Sequence, residues 1–170
     1  MAIPDAGLVI RVARATDEAA LTRVEAAAWT PASGFPSVIE RVNDPFFTFF
    51  SDDNPPGTHL VAEADGRVVG YIRLRPASRL RENAHVLAVV GLAVDPAARG
   101  RGIATALLAA AEQFARARGG SKLSLRVLGT NEPALRLYER TGFVREGTLR
   151  GEFRIQGRYV DDVVMGKYLA

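Results

Sequence analysis

Arg99-Gly100-Arg101-Gly102-Ile103-Ala104 lies between an apolar run ending at Val94 and the start of a helical pattern. Such a junction is suited to phosphate, because unpaired amides and the positive end of the helix dipole gather at a helix N-terminus. Glycines let the backbone approach a ligand closely, and Arg99 and Arg101 add charge-assisted donors, so the fit is to a diphosphate. Two other glycine loops are excluded. A dinucleotide fingerprint wants Gly or Ala where the chain has Thr105, and the Gly-Lys-Ser/Thr of a P-loop occurs nowhere. Taken alone, Gly100 and Gly102 could equally make a tight strand-to-helix turn among solvated arginines.

Composition narrows the remaining chemistry. With 170 residues, 48% hydrophobic and 24% charged, the chain is long enough for one core, and a single domain over residues 1–170 is expected. It has no cysteine, so neither a disulfide framework nor a thiolate nucleophile exists, and with only His59 and His85 no metal site is expected. The net charge of +3 comes from arginines spread along the chain, which argues against a nucleic-acid partner. The first residues lack a basic and then apolar leader, and the longest apolar run, Val86 to Val94, falls short of the ~18 residues a membrane helix needs. A cytoplasmic protein without a membrane partner is therefore expected.

The elements that must position the loop can be read along the chain. Leu8 to Arg14 reads as a first strand, and Thr16-Asp17 as the cap of a helix running to about Trp29. The stretch 30–57 carries Pro31, Pro36, Pro45, Pro55 and Pro56 and reads as loop, with one short helix around Ser37 to Val42. His59 to Ala64 and Arg67 to Leu74 are strands joined by Asp65-Gly66, a spacer that favours a tight antiparallel hairpin. Val86 to Asp95 is almost wholly apolar, as a central strand buried on both faces should be, and Pro96 stops it. From Gly102 to about Arg118, Ile103, Leu107, Ala110, Ala111 and Phe114 form one helical stripe, ended by Gly119-Gly120. Leu123 to Leu128 is a further strand. Asn131 caps a short helix carrying Pro133 in its first turn, and Gly142 terminates it. Phe143 to Thr148 and Val160 to Tyr168 close a mixed α/β sheet of about seven strands, with helices on both faces.

Arg99-x-x-Gly102-x-Ala104, following the strand Val89 to Pro96, resembles the acetyl-coenzyme A signature of GNAT acetyltransferases. A second block agrees: Asn131-Glu132-Pro133-Ala134-Leu135-Arg136-Leu137-Tyr138-Glu139-Arg140-Thr141-Gly142-Phe143 is similar to the Asn-x-x-Ala-x-x-Leu-Tyr-x-x-x-Gly-Phe segment of that superfamily. The ending Gly157 to Met165 resembles the branch containing polyamine and ribosomal-protein N-terminal acetyltransferases. The resemblance is sharpest over residues 86–148.

The resemblance implies a mostly antiparallel sheet splayed between strands four and five, where the pantetheine arm of acetyl-coenzyme A pairs with the freed edge. Leu92, Ala93 and Val94 would supply that edge. Amides from Arg99 through Gly100, Arg101, Gly102 and Ile103 to Ala104 would hold the pyrophosphate, and a strand amide would stabilise the oxyanion formed when an amine attacks the thioester. Asn131 would contact the cofactor as well as cap its helix. Tyr138 occupies the family's acid position, and an ordinary phenol of pKa about 10 can donate to a leaving thiolate of pKa about 8.5. The base is less defined: strand four carries no acid before Asp95, leaving His85, a water, or one of Glu25, Glu63, Glu82 and Asp161. The run Phe46-Phe47-Thr48-Phe49-Phe50, with Asp44, Asp52 and Asp53, reads as core or lid packing, or as a mouth for a cationic amine. The implied acceptor is a primary amine of a small molecule or a protein or peptide, taken by a monomer or homodimer. A non-catalytic acyl-coenzyme A-binding module and a nucleic-acid-associated protein are the competing classes.

Overall fold

Two hairpins frame the sheet, and each is set by a pair of residues at positive φ. Asp65 (φ 52°) and Gly66 (φ 73°) join β2 (His59–Ala64) to β3 (Arg67–Pro76). Gln156 (φ 49°) and Gly157 (φ 80°) join β6 (Val144–Ile155) to β7 (Arg158–Tyr168). Two-residue connections need this left-handed geometry to match the twist of the strands they join. The computed structural model, which describes residues 7–31 and 33–169, adds β1 (Leu8–Val12), β4 (Val86–Val94) and β5 (Lys122–Leu128). The seven strands run in the order β1-β2-β3-β4-β5-β7-β6, antiparallel except for β4 and β5, with β4 at the centre as its apolar run predicts.

Four helices flank this sheet: α1 (Glu18–Ala28), α2 (Pro36–Val42), α3 (Ile103–Arg116) and α4 (Glu132–Arg140). Leu21, Val24 and Ala28 of α1 pack on Val61, Tyr71 and Ala93 from one face. Leu107, Leu108 and Ala111 of α3 and Leu135 and Tyr138 of α4 pack on Ile72, Leu125, Val163 and Met165 from the other. Helices thus cover both faces, and their apolar stripes bury against alternate residues of the strands. The α3 stripe is rotated slightly from the expected one, with Leu108 and Ala115 buried and Ala110 and Phe114 at its margin.

Three local expectations change. Asp17 stands at the N-cap position of α1 but bonds no helix amide: its carboxylate turns back to the Arg14 amide (2.7 Å) and the Arg11 guanidinium (2.8 Å), because a charged fork is a stronger partner than a helix amide. The first strand ends at Val12, where the chain leaves β2. Strand β6 runs to Ile155, well past Thr148, and lies outside β7 at the edge of the sheet. Most of its residues are exposed, so the apolar alternation that betrays a half-buried strand is missing there.

Candidate active site

The centre of the sheet does not close. β4 pairs with β3 from Leu87 opposite Pro76 to Val94 opposite Gly70, but Val90 has no partner, bulging between Gly91 (opposite Arg73) and Val89 (opposite Leu74). On its other side β4 pairs with β5 over Val86–Val89 only, against Lys122–Leu125. Beyond Val89 the two strands part. Among the described residues, Val90–Val94 of β4 and Arg126–Leu128 of β5 face each other with unpaired edges, although β5 continues its pairing with β7 to Leu128. A bulge bends its strand and ends regular pairing, so Val90, 39% exposed, marks the hinge of the wedge. The wedge opens toward the carboxyl ends of two parallel strands, each followed by a loop and a helix, which is the usual ligand position in such sheets.

The loop after β4 meets the requirements read from its sequence. Gly100 (φ 78°) and Gly102 (φ 76°) are both left-handed, and a Cβ placed on either would meet nothing within 4 Å. The first bond into α3 runs from the Ala106 amide to the Gly102 carbonyl (3.0 Å), and the amides of Ile103, Ala104 and Thr105 find no acceptor among the described residues. These donors, at the positive end of a four-turn helix, face open space. The arginine side chains are arranged differently from the expectation. Arg99 donates to the carbonyls of Val94 (3.3 Å) and Ala28 (3.0 Å), tying the loop to the ends of β4 and α1, and Arg101 pairs with Asp65 (3.3 Å). Backbone amides therefore dominate this cradle.

The loop after β5 leads to α4. The Asn131 side chain accepts from the Ala134 amide (3.3 Å), the cap expected of it. At the other end the Phe143 amide bonds to the Tyr138 carbonyl (3.0 Å) and the Gly142 amide to the Glu139 carbonyl (3.1 Å), with Gly142 at φ 92°. This Schellman closure brings the Phe143 ring edge-on against Tyr138, centroids 5.7 Å apart, and fixes the phenol in the core below the sheet. Tyr138 is 9% exposed, its hydroxyl has no hydrogen-bond partner among the described residues, and burial pushes it up to about 12. Protonation of the phenol is thereby secured at neutral pH, while full transfer to a thiolate of pKa about 8.5 costs about 5 kcal/mol.

The base candidates separate clearly. His85 is exposed at the opposite end of β4, its carbonyl taken by the Ser121 and Lys122 amides, and five residues at about 3.3 Å each put it roughly 16 Å from Val90. The structure does not bring it to the wedge. Glu82 lies beside it in a short turn, Glu63 bonds Arg11 at the β1 edge, and Asp161 accepts the Gly151 amide (2.8 Å). Glu25 lies against β3, where it accepts from the Tyr71 hydroxyl beside Gly91 of the open edge, while Asp161 stands against Gly129 just past the end of β5. The sequence held a signal for this: Glu25 sits in helical register with Leu21, Val24 and Ala28, on the apolar stripe of α1.

The phenylalanine run is divided. Phe49 is buried against His59 and Tyr71, the Phe49 and Phe50 amides bond the Glu18 carboxylate, and Phe46 is 90% exposed beside a turn held by Asp44. Packing accounts for Phe49 and Phe50. Among the described residues no group of three or more potential metal ligands occurs, and no helix is long and apolar enough to cross a membrane.

Solved structures place this architecture among the acetyltransferases. The Salmonella typhimurium protein yncA, solved with its cofactor acetyl-CoA, shares the fold over 97% of this chain and 95% of its own (TM-score 0.76, 21% identity). A ribosomal-protein-alanine N-acetyltransferase from Brucella melitensis matches over 95% and 99% (TM-score 0.71, 28% identity). The chain belongs to the acetyltransferase (GNAT) family, whose model matches residues 20–143. Among curated relatives, an L-amino acid N-acetyltransferase of Escherichia coli is 34% identical over 68% of this chain and 70% of its own length. The N-alpha-acetyltransferase RimI of Mycobacterium tuberculosis is 37% identical over 60% of this chain and 62% of its own. Mycothiol acetyltransferases also match, and the chain spans less than half their length, 44% for the one from Amycolatopsis mediterranei.

Acetyl-coenzyme A is the family's cofactor, and the residues here suit it. Left-handed glycines with open space at Cβ, unpaired amides at the start of α3 and an unpaired strand edge at Val90–Val94 are what a diphosphate carrying an amide-bearing arm requires.

Proposed function

We propose that this protein transfers an acetyl group from acetyl-coenzyme A to a primary amine of an amino acid, another small molecule, or a protein or peptide, with Tyr138 as the proton donor. The observation that carries this reading is the coincidence of an unpaired β4 edge, an amide-lined loop at its end, and a buried, unpartnered phenol on the helix after β5. When bound, acetyl-coenzyme A supplies an activated thioester. The amides of Ile103, Ala104 and Thr105 and the backbone of Gly100 and Gly102 hold its diphosphate, the edge at Leu92, Ala93 and Val94 aligns its arm, and Arg99 braces the loop through Val94 and Ala28. Asn131 keeps α4 in place so that Tyr138 presents a proton to the departing thiolate. Two relatives, named for acetylating amino acids and N-terminal amines, support an acceptor of that chemistry.

The test is a screen of L-amino acids and short peptides as acceptors, with release of free thiol as the signal, repeated with Tyr138→Phe. Replacing an unpartnered hydroxyl leaves the core packed, so the variant should keep its melting temperature and its affinity for acetyl-coenzyme A while kcat falls about 10²- to 10⁴-fold. An unchanged kcat would remove Tyr138 from the mechanism.

A further inference from the structure

Glu25 is a carboxylate in the wrong company. It lies on the apolar stripe of α1, 7% exposed, among Leu21, Val24, Ala28 and Phe49. One oxygen accepts from the Tyr71 hydroxyl, and the other has no hydrogen-bond partner among the described residues. Its free oxygen is not sealed from solvent, so the carboxylate is served by one phenol and by water at its margin, in an otherwise apolar setting. A purely structural tie between α1 and the sheet could be made by apolar side chains at lower cost.

The pair is also placed where the sheet opens. Tyr71, on β3, is 4% exposed and stands opposite Ala93. Its hydroxyl is 3.4 Å from where a Cβ would sit on Gly91, the half-buried residue that follows the Val90 bulge. A side chain at Gly91 would press on this ring, so glycine leaves the phenol beside the unpaired edge of β4. Tyr71 and Glu25 belong to the α1 face of the sheet, whereas Tyr138 belongs to the α3 and α4 face. The wedge lies between them.

Acyl transfer to an amine needs a proton acceptor and a proton donor on opposite sides of the reacting group. Resting on the acetyltransferase reading above, we infer that Tyr71 and Glu25 form the route by which the incoming ammonium loses its proton. The Tyr71 oxygen takes a proton from the ammonium nitrogen as its own proton passes to Glu25, so one N–H bond breaks, one O–H bond forms on the carboxylate, and the amine is left neutral. As the adduct collapses the nitrogen loses its second proton to water, Tyr138 regains from water the proton it gave the thiolate, and Glu25 releases the first proton to water, so the net reaction liberates a single proton. Tyr71 is the catalytic residue of the pair; Glu25 is the positioning residue that acts through it. Burial, and then the Glu25 charge, holds the Tyr71 phenol well above its ordinary range, so it remains a phenol that relays a proton and never a free phenolate. Arg73 and Arg41 oppose that shift, and His59, also packed against Tyr71, is kept neutral by its own burial.

Two small nucleophiles separate this role from a structural one. Methylamine is cationic at neutral pH and must lose a proton before it attacks; hydroxylamine is already uncharged. Free-thiol release is measured with each at saturating acetyl-coenzyme A for the wild type, Glu25→Gln and Tyr71→Phe, with folding checked by circular dichroism and cofactor affinity by calorimetry. Both variants should lose about 10²-fold or more with methylamine and only a few-fold with hydroxylamine. Equal losses with both nucleophiles would make the pair structural and overturn the proposal. Tyr71→Phe retains the ring and decides the matter alone if Glu25→Gln does not fold. A wild type that binds acetyl-coenzyme A but transfers to neither nucleophile would overturn the transferase reading, and this proposal with it.

Discussion

Substitution of Gly102 separates the two demands made on the loop, backbone geometry and charge. At φ 76° any residue with a Cβ is strained, by about 1–2 kcal/mol, yet the added atom meets nothing within 4 Å. Gly102→Ala should therefore lower the melting temperature by about 2–8 °C, given roughly 2–4 °C per kcal/mol in a domain of this size, with little loss of cofactor affinity. Gly102→Asp shares the strain, eased by the tolerance of Asp for this conformation, and adds a negative charge where the diphosphate is to sit. Two like charges about 4 Å apart repel by about 4 kcal/mol at an effective dielectric of 20, and solvent screening at this exposed position reduces that to about 1.5–3 kcal/mol. The expected result by calorimetry is a loss of about 10- to 100-fold in acetyl-coenzyme A affinity for Asp but not for Ala. Pantetheine, which lacks the diphosphate, should bind both variants alike. An Asp variant that is folded and binds acetyl-coenzyme A as tightly as the Ala variant would refute a diphosphate site at this loop.

Two further outcomes follow from buried and displaced histidines. His59 is fully buried and held to about 4 by desolvation, so below pH 6.5 the unfolded chain takes up a proton that the folded one refuses. Stability should be independent of this group above pH 6.5 and fall by up to about 3 kcal/mol as pH drops to 4; urea unfolding of wild type and His59→Gln across that range should show a shallower loss in the variant. His85→Ala, at the end of β4 remote from the wedge, should leave kcat and its pH profile unchanged, and loss of the acidic limb of that profile would restore it as a base.

Element type was legible wherever a local chemical rule decided it. Asp65-Gly66 dictates its own turn, Pro133 and Gly142 bracket α4, and the uninterrupted apolar run of β4 puts it at the centre. The glycine loop could be placed because a strand end and a helix start lie on either side of it in the chain. What escaped depends on pairing between distant strands. The Val90 bulge arises because β3 and β4 have unequal counts between their fixed ends, which no pattern within β4 reveals. The turning of Arg99 toward Ala28 needs the end of α1 to be close, a contact across 71 residues. The helical register of Glu25 with Leu21, Val24 and Ala28 is visible in the sequence, but its partner Tyr71 is 46 residues away and is found only in the fold.

The outer edges of the sheet and its inner edge are finished in opposite ways. β6 carries Arg145, Glu146, Arg150, Glu152 and Arg154, slips register against β7 twice and turns left-handed at Gly151, while the other border, β1, is only five residues long. Charge, irregularity and brevity all discourage a neighbouring chain from adding a strand there. The run Val90-Gly91-Leu92-Ala93-Val94 has no charge and offers its edge within the molecule, screened from other proteins by the strands on either side. Backbone pairing is thus refused at the borders, where it would lead to aggregation, and left available in the interior to an arm narrow enough to enter.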